Sequence, residues 1–153
     1  ASKKKGAAYV SAAPPPGDRP HDITVFGCTG NAGRGVAYHV LRSAIMAKNT
    51  QLRVGLAGRS RDRVQKTLDG LRAELGETNF HGLDVAVVVA DASDPASMLA
   101  MASASRVVMS CVGPFGRWGE PAVLACIEGK AHYLDIAGEV GWVTRMIGRH
   151  SAA

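Results

Sequence analysis

Cysteine is scarce in this 153-residue chain, and the three present, Cys28, Cys111 and Cys126, are an odd set without C-x-x-C spacing. That excludes a disulfide framework and fits a reducing, intracellular compartment, the cytoplasm in the simplest case. The five histidines, His21, His39, His81, His132 and His150, pair with no cysteine at metal-ligand spacing, so no metal site is expected. No run of about eighteen apolar residues occurs, which excludes a transmembrane helix. Acidic residues are missing before Asp18, whereas Lys3, Lys4, Lys5 and Arg19 set against Asp18 place +3 of the formal +5 in the first twenty residues and leave +2 for the rest. A nearly balanced remainder gives no basic surface for nucleic acid, and three lysines beside Pro14-Pro15-Pro16-Gly17 read as a solvated, semi-extended tail. The same stretch has no apolar core of a secretory signal. Its missing acids suit a remnant of an organelle presequence, mitochondrial for example, but its missing arginines before Arg19 do not. The expected organisation is a flexible segment over residues 1–20 and one domain over residues 21–153.

Glycine is plentiful, and its most informative use is Ile23-Thr24-Val25-Phe26-Gly27-Cys28-Thr29-Gly30-Asn31-Ala32-Gly33. An apolar strand runs there into a glycine-rich turn and then a helix. Gly27 allows a sharp turn off the strand, Gly30 allows the backbone close to a pyrophosphate, and Gly33 allows the helix to pack on the sheet. The free N–H groups of the helix start would face the anion. The G-x-x-G-x-x-G spacing is looser than the dinucleotide fingerprint and takes its meaning from context.

From Asp22 onward strands alternate with helices, as parallel βα units do. Strands are expected over residues 23–26, 52–57, 85–90, 106–112 and 132–136. Helices are expected over 31–46 and 61–75, from Asp94-Pro95 through Ala102, from Pro121 to a stop at Gly129, and over 142–147. The β-branched run 85–90 reads as a strand buried on both faces. The expected fold is α/β, a doubly wound parallel sheet of the Rossmann type in three αβα layers. Ligands of such sheets bind beyond the carboxyl ends of the strands, where the order reverses.

After the second strand come Ala57-Gly58-Arg59-Ser60-Arg61, with no acid at the strand end to hold a ribose 2′-hydroxyl. Arg59 has the planar fork that grips a 2′-phosphate, and Ser60 adds a hydroxyl, so NADP is favoured over NAD. Asp91, after the third strand, suits either an adenine amino group or the cap of a turn before Asp94. Ser110-Cys111-Val112-Gly113-Pro114-Phe115 would run along the pyrophosphate towards the nicotinamide, or serve only as a tight turn. No base can be assigned to Cys111, which reads as a small apolar strand-end residue. Tyr133, Asp135 and Glu139 either reach a substrate or pin a loop, and Trp118 and Trp142 either cover a cofactor or meet a partner. Tyr38 is followed four residues on by Arg42, and Tyr133 by Ala137, so the tyrosine–lysine pair of short-chain dehydrogenases has no counterpart. No catalytic residue is assigned.

Taken together, Ile23-Thr24-Val25-Phe26-Gly27-Cys28-Thr29-Gly30, Leu56-Ala57-Gly58-Arg59-Ser60, Cys111-Val112-Gly113-Pro114-Phe115-Gly116 with Gly119-Glu120-Pro121, and His132-Tyr133-Leu134-Asp135-Ile136-Ala137-Gly138-Glu139 resemble the N-terminal NADP-binding domain of saccharopine dehydrogenase-like oxidoreductases, a group that includes trans-acting enoyl reductases. The resemblance runs from about Asp22 to Ile147. It implies hydride transfer with NAD(P)H, and a following α+β domain, missing from this chain, that completes the substrate pocket and the contacts of a homodimer. It also implies that Gly27, Thr29, Gly30, Asn31, Ala32 and Gly33 hold the pyrophosphate, Arg59 and Ser60 the 2′-phosphate, Asp91 the adenine side, and Val112, Gly113 and Pro114 the nicotinamide ribose side. Asn31 and Ala32 stand where the family usually carries bulky or hydroxyl residues. The competing reading is a non-catalytic dinucleotide-binding or structural subunit of a larger assembly.

Overall fold

The computed structural model describes residues 19–151; the lysines and the Pro-Pro-Pro-Gly run of the expected tail lie outside them. Five parallel strands, β1 (His21–Phe26), β2 (Arg53–Gly58), β3 (Asp84–Val89), β4 (Ser105–Ser110) and β5 (His132–Asp135), form one sheet in the order β3-β2-β1-β4-β5. Between and after them lie α1 (Asn31–Met46), α2 (Arg61–Leu75), α3 (Pro95–Ser103), α4 (Phe115–Glu128) and α5 (Val140–His150), with a 3₁₀ turn over Glu77–Phe80 before β3. The chain moves outward from β1 to β3, then crosses back through α3 to β4 on the other side of β1. Because such crossovers are right-handed, reversing direction moves the helices to the opposite face. The order therefore changes between β1 and β4, and a crevice opens at their carboxyl ends.

Strand alternation divides the interior into two layers. Val25 and Leu56 point one way and pack with Ala37 and Leu41 of α1 and Val64, Leu68 and Leu71 of α2. Their neighbours Phe26 and Ala57 point the other way, onto Met98, Met101 and Ala102 of α3 and Ala122, Ala125 and Cys126 of α4. The helices form where the apolar spacing and caps agree: Ser60 accepts from the Arg63 N–H at the start of α2, and Asp94 accepts from Ala96 before Pro95 opens α3. Helix α5 packs on α4 through Trp142 and Met146, which form a third cluster with Phe115 and Val123.

Several expectations need correction. The run expected over 85–90 forms an edge strand over 84–89 whose residues are half-buried or exposed, with Ala90 just past its end buried, because a β-branched pattern records faces and says nothing of which edge remains unpaired. Strand β4 stops at Ser110, leaving Cys111 and Val112 in the following loop. Pro121 lies inside α4 instead of opening it, since the helix starts at Phe115 directly after Pro114. Helix α5 extends past 142–147 at both ends. Arg19, counted with the flexible segment, is only 4% exposed. Its guanidinium donates to the carbonyls of Ala102, Ser105, Gly129 and Lys130, at the chain's exits from α3 and α4 and its entry to β4. The positive charge meets the negative ends of two helix dipoles instead of a carboxylate.

Candidate functional site

A cleft of about 400 Å³ lies at the carboxyl ends of β1, β2, β3 and β4. Its floor is the first glycine turn. Gly27 has φ +88°, a conformation L side chains rarely adopt, and its N–H donates to the Ala57 carbonyl at 2.9 Å, tying the turn to β2. A Cβ at Gly27 would come within 2.7 Å of Val112 Cγ2. Thr29 and Gly30 line the cleft beside it. A Cβ at Gly30 would touch only the Gly27 carbonyl oxygen, at an ordinary 3.5 Å, so the fold itself does not demand glycine there. Room for a close-lying group is what the position provides.

Gly33 is a packing residue. It is buried, and a Cβ on it would fall 2.1 Å from the Gly27 carbonyl oxygen, so its hydrogen lets α1 approach the turn. Asn31 and Ala32 are exposed on the first turn of α1 and do not line the cleft. Helix α1 has no side-chain cap at Gly30 and no acid in its first turn. The first N–H groups of a helix lack intrahelical partners, so α1 presents donors and positive dipole at the mouth of the cleft.

At the β2 end the cleft is bounded by Gly58, Arg59 and Arg63. Ser60 is not on the wall: its hydroxyl accepts from the Arg63 N–H as the cap of α2, and its proton can still donate elsewhere. Arg63 escaped the sequence reading because it sits four residues beyond the strand-end arginine, in a helix. Helical side chains lean back over the preceding turn, and that tilt carries Arg63 to the Arg59 side. The two guanidiniums make this end of the cleft strongly cationic.

Asp91, Ala92 and Ser93 form the wall after β3. One carboxylate oxygen of Asp91 accepts both the Ser93 N–H at 2.9 Å and the Ser93 hydroxyl at 2.8 Å. These bonds, with a smaller contribution from Arg59, hold its pKa below the usual aspartate value. Asp91 thus makes the turn and also lines the cleft.

The remaining wall is Cys111, Val112, Gly113 and Trp118; Pro114, joined to Gly113 by a cis bond, does not line the cleft. Burial pushes the Cys111 thiol up to about 11, so it is neutral at physiological pH and is no thiolate nucleophile. Trp118 reaches the cleft, whereas Trp142 is buried against Phe115, ring centroids 5.3 Å apart. Of the residues on β5, Asp135 at the strand end accepts from the Ala137 N–H just beyond it, and burial raises the Tyr133 phenol far above its ordinary pKa. Glu139 accepts from the backbone N–H groups of Phe115 and Gly116 at 2.7 and 2.9 Å. The loop after β5 is thereby pinned to the start of α4. Among the described residues no three of His, Cys, Asp and Glu converge as a metal set, and no helix is long and apolar enough to cross a membrane.

Residues 23–149 match the family model described as the saccharopine dehydrogenase NADP binding domain. The chain belongs to that family. It is an NADP-binding domain of the saccharopine dehydrogenase-like oxidoreductases. Among its relatives, the saccharopine dehydrogenase-like oxidoreductase of Homo sapiens is 37% identical over 122 residues, covering 79% of this chain and 28% of the human protein. The trans-acting enoyl reductase of Mycobacterium bovis is 38% identical over 125 residues, covering 82% of this chain and 27% of that protein. This NADP-binding domain thus spans just over a quarter of the length of these curated relatives. Solved structures share the fold: apo saccharopine dehydrogenase (L-Glu forming) of Saccharomyces cerevisiae superposes with TM-score 0.57 at 16% identity, over 82% of this chain and 24% of that one. Glucose-6-phosphate 1-dehydrogenase of Mycobacterium avium gives 0.63 at 14% identity, over 88% and 34%.

Proposed function

We propose that the cleft holds NADP with its pyrophosphate over Gly27, Thr29 and Gly30 at the open start of α1, and its 2′-phosphate between Arg59 and Arg63. The adenine lies along Asp91 and Ser93, and the nicotinamide half along Val112 and Gly113 towards Trp118. Asn31, Ala32 and Gly33 contribute through the backbone donors of α1, the Ser60 hydroxyl proton reaches the phosphate from the start of α2, and Pro114 shapes the turn behind Gly113. The observation that carries the reading is the pairing, in one cleft, of an uncapped helix start with two arginines and no carboxylate at the end of β2. In the longer protein, bound NADPH supplies a hydride, while these residues orient it and keep its phosphates neutralised. The substrate pocket and dimer contacts belong to a further domain. Apolar side chains left exposed on and after β5 and on α5, Leu134, Ile136, Val140 and Ile147, are a surface for it to cover.

Titration of the chain with NADPH and NADH, followed by tryptophan quenching and calorimetry, tests the assignment. NADPH is expected to bind at least about tenfold tighter, as charge-assisted bonds to one extra phosphate require. Arg59→Ala should abolish most of that preference and Arg63→Ala part of it, with little effect on NADH. Equal affinities of the unaltered chain for the two nucleotides would overturn the 2′-phosphate site.

A further inference from the structure

The cofactor cleft and the β5–α5 corner meet at one side chain. Glu139 sits at the start of α5, where its carbonyl accepts the N–H groups of Trp142 and Val143. Its carboxylate reaches across to the start of α4, one oxygen on the Phe115 N–H and the other on the Gly116 N–H. Pro114, at the cap position of α4, offers no side-chain hydrogen bond, so this distant glutamate does the capping. A negative charge there also meets the positive end of the α4 dipole. The contact is backed by packing: Trp142 lies on Phe115, and a Cβ at Gly119 would fall 2.5 Å from Trp142 Cζ2. The two helix starts are clamped together by a carboxylate on one side and by an indole seated on a glycine on the other.

The clamped residues continue the cleft wall. Gly113 lies two residues before Phe115, and Trp118 stands on the first turn of the capped helix; both line the cleft, as Arg59, Arg63 and Asp91 do at its other end. Resting on the NADP reading above, the geometry points to Glu139 as a positioning residue for the nicotinamide half of the cofactor. It fixes the Gly113–Trp118 wall through two backbone N–H groups without entering the cleft itself. Loss of the carboxylate frees the α4 start to shift and leaves the adenine end, built from β2, β3 and α2, as it was. The clamp also joins that wall to α5, so anything that moves α5 acts on the nicotinamide end of the cleft.

The test compares two probes on the same chain. NADPH samples the whole cleft, and adenosine 2′,5′-bisphosphate samples only the adenine and 2′-phosphate end. Glu139→Ala is expected to weaken NADPH about five- to tenfold, the loss of a charged helix cap. It should leave adenosine 2′,5′-bisphosphate within about twofold, since distant sites act independently. Glu139→Gln, which keeps the shape and one acceptor, should fall between. Asp22→Asn, which removes an ion pair at the opposite end of the sheet, is the control for a purely structural loss and should leave the ratio of the two affinities unchanged. A ratio unaltered in both Glu139 variants overturns the positioning role, whether the two affinities hold or fall together. An unaltered chain that binds neither probe overturns the NADP site on which the role rests.

Discussion

A methyl group added at Gly30 and one added at Gly33 meet opposite surroundings, although both glycines belong to one motif. At Gly30 the new carbon finds ordinary contact distance and a φ of −88° that alanine adopts freely. At Gly33 it would lie 2.1 Å from a backbone oxygen that cannot move without displacing the turn. Gly33→Ala is therefore expected to destabilise the domain by about 1–3 kcal/mol, the cost of overpacking, and to lower the melting temperature by several degrees. Gly30→Ala should melt within about 1 kcal/mol of the unaltered chain and yet lose at least about tenfold in NADPH affinity, because the methyl occupies the space meant for phosphate. Calorimetric melting and cofactor titration of the pair separate the two functions. Matching losses of stability in both variants would contradict the division. The third functional class in this stretch, the conformational glycine, is Gly27 with its positive φ.

Between elements, one tie that responds to pH joins β1 to β2. Asp22 accepts the Arg53 backbone N–H at 3.0 Å and its guanidinium at 3.0 and 3.2 Å, with Arg106 at 3.9 Å. The hydrogen bonds from the Arg53 side chain lead the causes that hold the Asp22 pKa below its ordinary 3.8. A carboxylate with a lowered folded pKa contributes its stability in full above the unfolded value, and the contribution is lost as pH falls through the folded value. Asp22→Asn should thus cost roughly 1 kcal/mol at neutral pH, and the gap should close below about pH 4. Denaturant midpoints measured from pH 3 to 7 check the sign; a gap that widens in acid would refute it. At this scale the helices with local signals were legible in the sequence. Helices α1 and α2 run over the residues that their apolar stripes marked, and Gly76 at φ +91° ends α2. What escaped was decided from afar: α4 begins six residues before Pro121 because its cap, Glu139, comes from beyond β5. The edge position of β3 is likewise a property of the sheet order, which strand composition does not encode. The cleft follows the same rule. Gly27, Gly30, Arg59 and Asp91 were readable because each directly follows or lies near a strand end, whereas Arg63 enters from within α2, where neither a turn nor a strand marks it.

For the molecule as a whole, the cleft end of the sheet is shaped by open turns, while the opposite end is gathered around one buried cation. Arg19 touches the ends of two helices and the start of a central strand, and Gly129, one of its acceptors, is itself packed so closely that a Cβ would fall 2.9 Å from Ser103 N. The family match begins at residue 23, four positions after this arginine. A chain trimmed to the matched boundary would keep every element of the sheet except the first two residues of β1. It would nevertheless expose several backbone carbonyls to a cavity with no donor in it. Replacing Arg19 with methionine in the full chain should cost about 2–4 kcal/mol, and starting the chain at Ile23 at least as much, both read as lower unfolding midpoints. Unchanged midpoints would show that water takes over the four carbonyls. The practical boundary of this domain is therefore set by a hydrogen-bond hub that lies outside the residues the family model matches, and fragments for binding studies need to begin ahead of residue 19.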